Sequence, residues 1–390
     1  MTNIEREVLE LIRKTLTDEE IDSISDWKCI FGELLDQAIY CLPYAQLSKS
    51  DLLRKEEKNQ YRLECLKNLT RNVQILRAQT KLVQLLQTND VPFVVLKGSA
   101  ASMYYPHPEY RCMGDIDIIV KPEDFEKANR VLEKEYVLEQ AIEDCPLHAG
   151  YMSPEGFEIE LHKYFSILNN NKKLDEFIYE GIDRCQWHEL QGQTFPSLPP
   201  VENGLVLLYH IYQHLEESGI GYRQVIDFRE FANKNKEILD EFLLACEKTH
   251  LRGLAEIMLT LCQKHLGLDI EFKKKMNIQS DSEEYLLSLF SSSGNFGSKI
   301  REEEDNKAEI VLKNFKNPIH GFKILQKYGL ENWSLAQKYI VLRPFAWIYQ
   351  IFRYAGRIRN YGGLKTVVQG SKRVNDKNQL FKELKLTKNY

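Results

Sequence analysis

Apolar residues recur at near-helical spacing through Leu69, Val73, Leu76, Leu82, Val83 and Leu86, and Gly and Pro are almost absent from the first 88 residues. That pattern predicts a helical opening segment over 1–88. Asn89 and Asp90 break it, and residues 91–96 (VPFVVL) form a short run rich in β-branched side chains, which predicts a buried strand. Gly98 stops the run, and Ser99 is placed to cap a short helix reaching Tyr105. After a loop at Pro106 and Pro108, residues 115–120 (DIDIIV) alternate acids with aliphatics as a second strand would. Pro122 is placed to open a helix running to about Tyr136. Further strands are expected over 148–153 and 157–165, the second preceded by the turn signal Pro154-Glu155-Gly156.

Beyond this point the strand signal fades. Asn169–Asn171 and the Pro196 to Pro200 stretch bracket a segment, 166–200, that reads as a connector. Residues 201–300 turn helical again. Ser291-Ser292-Ser293-Gly294 and the charge run from Arg301 to Asp305 mark an exposed joint before an aromatic, basic and helical segment over 301–390. The predicted architecture is α/β (α+β): a small mixed-sheet core over 89–165, flanked by N- and C-terminal helical segments.

Composition narrows the class. The chain has 390 residues, 43% of them hydrophobic, enough to bury a substantial core. No apolar run is long enough to span a membrane. The N-terminal stretch MTNIEREVLELIRK has no apolar core of the secretory kind. Eight cysteines are scattered singly with no CxxC pair, so they read as reduced thiols without a zinc site, and a cytoplasmic location is expected.

The net charge of −5 conceals an asymmetry. From Lys313 to Tyr390 there are 16 Lys or Arg against three acids, Glu331, Asp376 and Glu383. The tail therefore carries about +13 on a body of about −18, counting full charges. It is suited either to dock on its own acidic body or to contact an anionic surface. The aromatic stretch from Trp333 to Tyr354 fits a helix packed on the body, or an interfacial helix flanked by Lys338, Arg343, Arg353 and Arg357.

The candidate chemistry lies in VVLKGSAASMYYPHPEYRCMGDIDIIV. Alternation puts Asp115 and Asp117 on one strand face, where two carboxylates can share a hard divalent cation together with substrate phosphates. Neither has a Lys or Arg beside it in the strand, and like charges on one face repel unless a cation sits between them. Gly98 and Ser99 stand where a strand turns into a helix, a place where phosphate can approach the backbone. In Gly156-Phe157-Glu158-Ile159-Glu160-Leu161-His162, alternation aligns Glu158, Glu160 and His162 on one face, which either meets solvent or lines a site. Either glutamate could be the third acid. His210 and His214, four residues apart, share a helical face; so do Arg223 and Asp227, most simply as an intrahelical ion pair.

The order of these motifs resembles the polymerase-beta-like nucleotidyltransferase superfamily. Within it, the chain resembles the bacterial family called uncharacterised nucleotidyltransferases. The likeness stands on Leu96-Lys97-Gly98, Arg111, Gly114-Asp115-Ile116-Asp117 and Glu160-Leu161-His162. It extends to His210, His214, the segment from Gly219 to Asp227, and Gly294-Asn295-Phe296-Gly297. The spacing departs from the superfamily, with fifteen residues between Ser99 and Asp115. The resemblance implies Mg²⁺- or Mn²⁺-dependent transfer of a nucleoside monophosphate from NTP to a small-molecule or peptide acceptor. Asp115, Asp117 and Glu160 would be its metal ligands and catalytic acids. Lys97, Gly98, Ser99, Arg111, Arg223 and Asp227 would face the nucleotide, and His162, His210 and His214 would lie on the substrate side. Two other readings stay open: a non-catalytic binding module of the same fold, and transfer onto a nucleic-acid end.

Overall fold

The computed structural model describes residues 1–140, 148–166, 171–216, 219–275, 280–295, 299, 326, 329–330 and 333–360. Four helices come first: α1 (Asn3–Leu16), α2 (Trp27–Asp36), α3 (Tyr44–Leu47) and the long α4 (Lys55–Thr88). The central stretch follows as β1 (Val94–Leu96), α5 (Gly98–Ser102), β2 (Ile116–Ile119), α6 (Phe125–Leu132), β3 (Val137–Gln140), β4 (His148–Met152) and β5 (Glu158–His162). It continues with α7 (Lys172–Asp183), β6 (Gln186–Leu190) and β7 (Gln193–Ser197). The helices α8 (Pro200–Glu216), α9 (Tyr222–Lys234), α10 (Leu239–Lys248), α11 (Arg252–His265) and α12 (Ser280–Ser293) close the series.

The seven strands among the described residues join one mixed sheet in the order β3-β4-β5-β2-β1-β7-β6. β1 runs antiparallel to β2 and parallel to β7, while β2 runs parallel to β5, which pairs antiparallel with β4. The mixed α/β architecture is thus as the hydrophobic pattern predicts, but the sheet does not stop at residue 165. The segment read as a connector holds α7 and the β6–β7 hairpin, whose outer partner is β1. Its strands, QWHEL and QTFPS, carry too few β-branched residues to announce themselves, and Pro196 argues against a strand. What makes the hairpin is the turn at Gln191 and Gly192, both at positive φ (52° and 76°), the geometry a two-residue hairpin demands. The helix expected from Pro122 begins only at Phe125, with a turn before it.

Side-chain parity sorts the sheet into two faces. On one, Val95, Ile116, Ile118, Ile159, Leu161 and Phe195 pack with Leu76, Leu82 and Leu86 of α4 and Phe125 of α6 as a single core. The other face carries Asp117, Glu160 and His162. The buried side of α4 is not uniformly apolar: Asn68, Asn72 and Gln79 are covered, whereas Val73 is 40% exposed. Asn72 Nδ2 donates to the carbonyls of Glu109 and Arg111, and its Oδ1 accepts from the Met113 amide, so α4 pins the loop leading into β2.

Residues Met1–Phe296 form one compact unit and Gly297–Tyr390 another. In the second, the aromatic stretch is not one helix. α13 (Ser334–Lys338) is followed by a 3-10 segment, Ile340–Phe345, containing Pro344, and then by α14 (Ala346–Asn360). Trp333 stacks on Tyr349 with centroids 5.1 Å apart, while Val341 and Phe352 are mostly exposed. The Arg301–Asp305 charge run and residues 361–390 of the basic tail lie outside the described residues. No helix among the described residues is long and apolar enough to cross a membrane.

Candidate active site

At the end of β1 the chain turns sharply into α5. Lys97 adopts φ +47° and Gly98 φ +28°. Such a backbone at a side-chain-bearing residue costs of order 1–3 kcal/mol and persists only where surrounding structure enforces it. Here the turn sends the Lys97 side chain across to β2, where its ammonium meets Asp117 Oδ1 at 2.6 Å. The cation missing beside Asp117 in its own strand is therefore supplied by the neighbouring one. Burial opposes the charge on this lysine, but Asp117, Glu160 and Asp115 together raise its pKa above the usual lysine range.

The parallel pairing of β2 with β5 puts Asp117 directly beside Glu160, and Ile119 beside His162. Asp115 precedes β2 and lines the cleft with Lys97, Gly98, Asp117, Arg111 and Arg223. His162 Nε2 lies 3.0 Å from Asp117 Oδ1 and 3.2 Å from Glu160 Oε2. Burial opposes protonation of this imidazole, yet the two carboxylates outweigh it and raise its pKa. Glu160 is pulled the other way. Burial resists its charge, but His162, Lys97 and His148 hold it well below the usual carboxylate range. Glu158 sits at the exposed end of the strand with its pKa raised by burial and by Glu160. Of the two glutamates, the one among the site's charges is Glu160.

His148 was not singled out by sequence. In β4 it pairs opposite His162, and its Nε2 lies 3.8 Å from Glu160 Oε1. The turn at residues 154–156 holds the signal: folding the two flanking strands about it aligns Met152 with Glu158 and, four pairs on, His148 with His162.

The opposite wall comes from α8 and α9. Arg111 clamps Asp227, with Nε to Oδ1 at 2.6 Å and Nη2 to Oδ2 at 2.7 Å, and the Tyr105 hydroxyl donates to Oδ1 at 2.7 Å. Both ionic partners are only 5% exposed. This replaces the intrahelical pair expected between Arg223 and Asp227, because a planar two-pronged contact from the loop outcompetes a neighbour one turn away. Arg223 instead donates through Nη1 to the Cys112 carbonyl at 3.0 Å. Its burial, and then the nearby Arg111, lower its pKa.

His210 and His214 meet each other, Nε2 to Nε2 at 2.9 Å, and burial lowers both pKa values, that of His214 to about 4. They are neutral imidazoles in the wall, with His210 facing the cleft. Ser99 does not reach the cleft. Its hydroxyl donates to Gln79 Oε1 at 2.7 Å in the core, and it makes no cap contact, so of Gly98 and Ser99 only Gly98 faces the site. Gln224 also lines the cleft, donating through Nε2 to Asn295 Oδ1 at 3.2 Å.

Among the described residues several buried polar atoms lack a hydrogen-bond partner, Gln224 Oε1 in this cleft and Glu230 Oε2 outside it among them. Asp117 Oδ2 is buried with no hydrogen-bond partner, although the residue is only 1% exposed. A buried carboxylate oxygen without a donor costs the desolvation of that group, so the position asks for a cation. Asp115, Asp117 and Glu160 offer the hard oxygen donors a divalent ion prefers.

Residues 23–267 match the family described as uncharacterised nucleotidyltransferase, more than half the chain, and the protein belongs to that family. Among solved structures, the chain is similar to an antigenic nucleotidyltransferase-like protein from Paracoccidioides brasiliensis. The identity is 13%, the coverage is 53% of this chain and 95% of that one, and the TM-score is 0.30. No curated protein matches the chain significantly.

Proposed function

We propose that this protein transfers a nucleoside monophosphate from an NTP to a hydroxyl or phosphate acceptor on a small molecule or peptide, in a divalent-metal-dependent reaction of the polymerase-beta-like kind. The observation that carries this reading is the unpartnered Asp117 Oδ2, set beside Asp115 and in register with Glu160 at the floor of a cleft walled by Lys97, Arg111 and Arg223.

Asp115 and Asp117 would hold a Mg²⁺ or Mn²⁺ ion jointly with triphosphate oxygens, and Glu160 would complete the set toward the acceptor. When bound there, such an ion neutralises phosphate charge and makes an acceptor hydroxyl easier to deprotonate. In the transfer, the acceptor oxygen bonds to the α-phosphorus, the bond to pyrophosphate breaks, and the acceptor proton leaves. The chain's own part is placement. Lys97 and Arg223 offer fixed positive charge to phosphate oxygens, and the Arg111–Asp227 clamp holds the loop and α9 at a constant separation. His210, held neutral, gives the wall a polar contact without adding a cation.

The test is incubation with each α-labelled NTP, Mg²⁺ and cell extract, tracing the label, with Glu160→Gln alongside wild type. The carboxamide keeps the shape and loses the charge. Transfer should fall by a factor on the order of 10² or more while NTP affinity stays within about threefold, the pattern of an interaction made mainly in the transition state. A binding module would show no wild-type transfer to lose. Wild-type rates in Glu160→Gln would remove Glu160 from the mechanism and make Glu158 the next residue to replace.

A further inference from the structure

We infer that His148, Glu160 and His162 form a nitrogen-rich cation site that takes a borderline transition metal, Zn²⁺ above all, without needing nucleotide. The site is separate in preference from the oxygen-lined Asp115–Asp117 position.

The geometry suits three ligands of one ion. One donor atom from each residue falls within 4.8 Å of the others. Glu160 reaches His162 Nε2 at 3.2 Å through Oε2 and His148 Nε2 at 3.8 Å through Oε1. Ligands at zinc's usual bond lengths, about 2.0–2.2 Å in tetrahedral array, stand about 3.3–3.6 Å from one another, so donors that already lie within 4.8 Å need draw together by no more than about 1.5 Å on an ion. The three residues come from adjacent strands in fixed register, His148 facing His162 and the side-chain-free Gly150 facing Glu160.

Protons alone do not satisfy this cluster. His162 Nε2 can carry one hydrogen, yet it faces carboxylate oxygens of both Asp117 and Glu160 within 3.2 Å. An ion in place of that hydrogen can serve His162, His148 and Glu160 together, while Lys97 continues to neutralise Asp117. Two imidazoles and one carboxylate are the donors of catalytic zinc sites, and imidazole disfavours Mg²⁺, which keeps to oxygen. On the nucleotidyl-transfer reading, on which only the role of this ion rests, the acceptor side would hold an ion unlike the one that travels with the NTP.

The experiment uses the full chain, stripped with chelator and free of nucleotide, titrated with Co²⁺ and Zn²⁺. Co²⁺ binding is read from visible absorption and Zn²⁺ from competition with a chromophoric chelator. We expect one equivalent of Zn²⁺ held against millimolar Mg²⁺. His148→Gln should weaken Zn²⁺ at least tenfold and alter the Co²⁺ spectrum, whereas Asp115→Asn should leave Zn²⁺ affinity within about threefold. Should His148→Gln fail to fold by circular dichroism, Glu160→Gln takes its place with the same expectation. Absence of Zn²⁺ binding in folded wild type, unchanged affinity in the ligand variant, or equal displacement by Mg²⁺ overturns the assignment. Label transfer that persists in the first of these cases leaves the nucleotidyl-transfer reading standing. Zn²⁺ binding without any label transfer does the reverse.

Discussion

Around Asp227 every carboxylate oxygen meets a donor: Oδ1 takes Tyr105 and one prong of Arg111, and Oδ2 takes the other. Around Asp117, in the same cleft, Lys97 and His162 crowd onto Oδ1 and leave Oδ2 bare. Both acids are buried. The first is closed, and its energy goes into holding a loop against a helix. The second is left open at a cost to stability, which the proposed function explains as room for another charge. A buried ion pair is poor evidence of function by itself, and so is a bare oxygen, since Glu230 Oε2 also lacks a partner; what sets Asp117 apart is that it lines the cleft together with Asp115.

The sharpest break of this contrast is Asp117→Asn. Label transfer should fall on the order of 10³-fold or more, because a neutral amide cannot hold the triphosphate's counter-ion, while the chain stays folded. Transfer surviving in that variant would place the open acid in the scaffold class as well. Conversely, Asp227→Ala strands Arg111 in the interior and should cost about 3–5 kcal/mol of unfolding free energy, read from urea denaturation midpoints. If it costs under about 1 kcal/mol, the closed cluster is not structural, and the contrast fails from the other side.

Acid should expose the neutral imidazole pair in the wall. Burial holds the folded-state pKa of His214 near 4 and lowers that of His210 as well, against about 6.5 for a free imidazole. The unfolded chain therefore binds protons first as pH falls. Stability from this pair is full above about pH 6.5 and lost through about pH 4, with a slope of at most about 1.4 kcal/mol per pH unit for each histidine. His214→Gln, which preserves a polar contact without a titrating ring, should flatten the urea-midpoint profile across that window; an unchanged profile would assign the acid sensitivity elsewhere. The smallest effect is expected at Lys121–Asp183, paired at 2.6 Å on the surface, where Asp183→Ala should shift stability by less than about 1 kcal/mol. This control asks whether burial, rather than pairing, makes the Arg111–Asp227 clamp matter.

Strand parity was enough to see the acids. With residues 115–120 and 157–165 as strands, Asp115 and Asp117 share one face and Glu158, Glu160 and His162 another, and the structure sets Asp117 beside Glu160. Partners across the fold were less legible. Asp227 looked paired with Arg223 because i,i+4 neighbours are visible in sequence and Arg111, 116 residues away, is not. Lys97 escaped as Asp117's partner because the contact needs a positive φ at a residue with a side chain. Ser99 read as a cap on local grounds, but Gln79 on the buried side of α4 claims its hydroxyl. Gln79 and Asn72 replace the apolar residues a helix face would otherwise show, and so blur the very period that predicts it. The β6–β7 hairpin was hidden by polar strands and a proline, its only plain sign being the Gln191-Gly192 turn.

The long reach of the clamp also sets an order of events in time. During synthesis the acids of β2 and β5 emerge and can pair once residue 162 is free, since both strands lie within one stretch of chain. Asp227 appears 65 residues after His162. Until then Arg111 has no carboxylate to close on, and the nascent chain carries the floor of its cleft without the far wall. Non-local contacts of this kind form late and slowly. On that order, the cleft gains its far wall only when α9 docks and the Arg111–Asp227 contact closes.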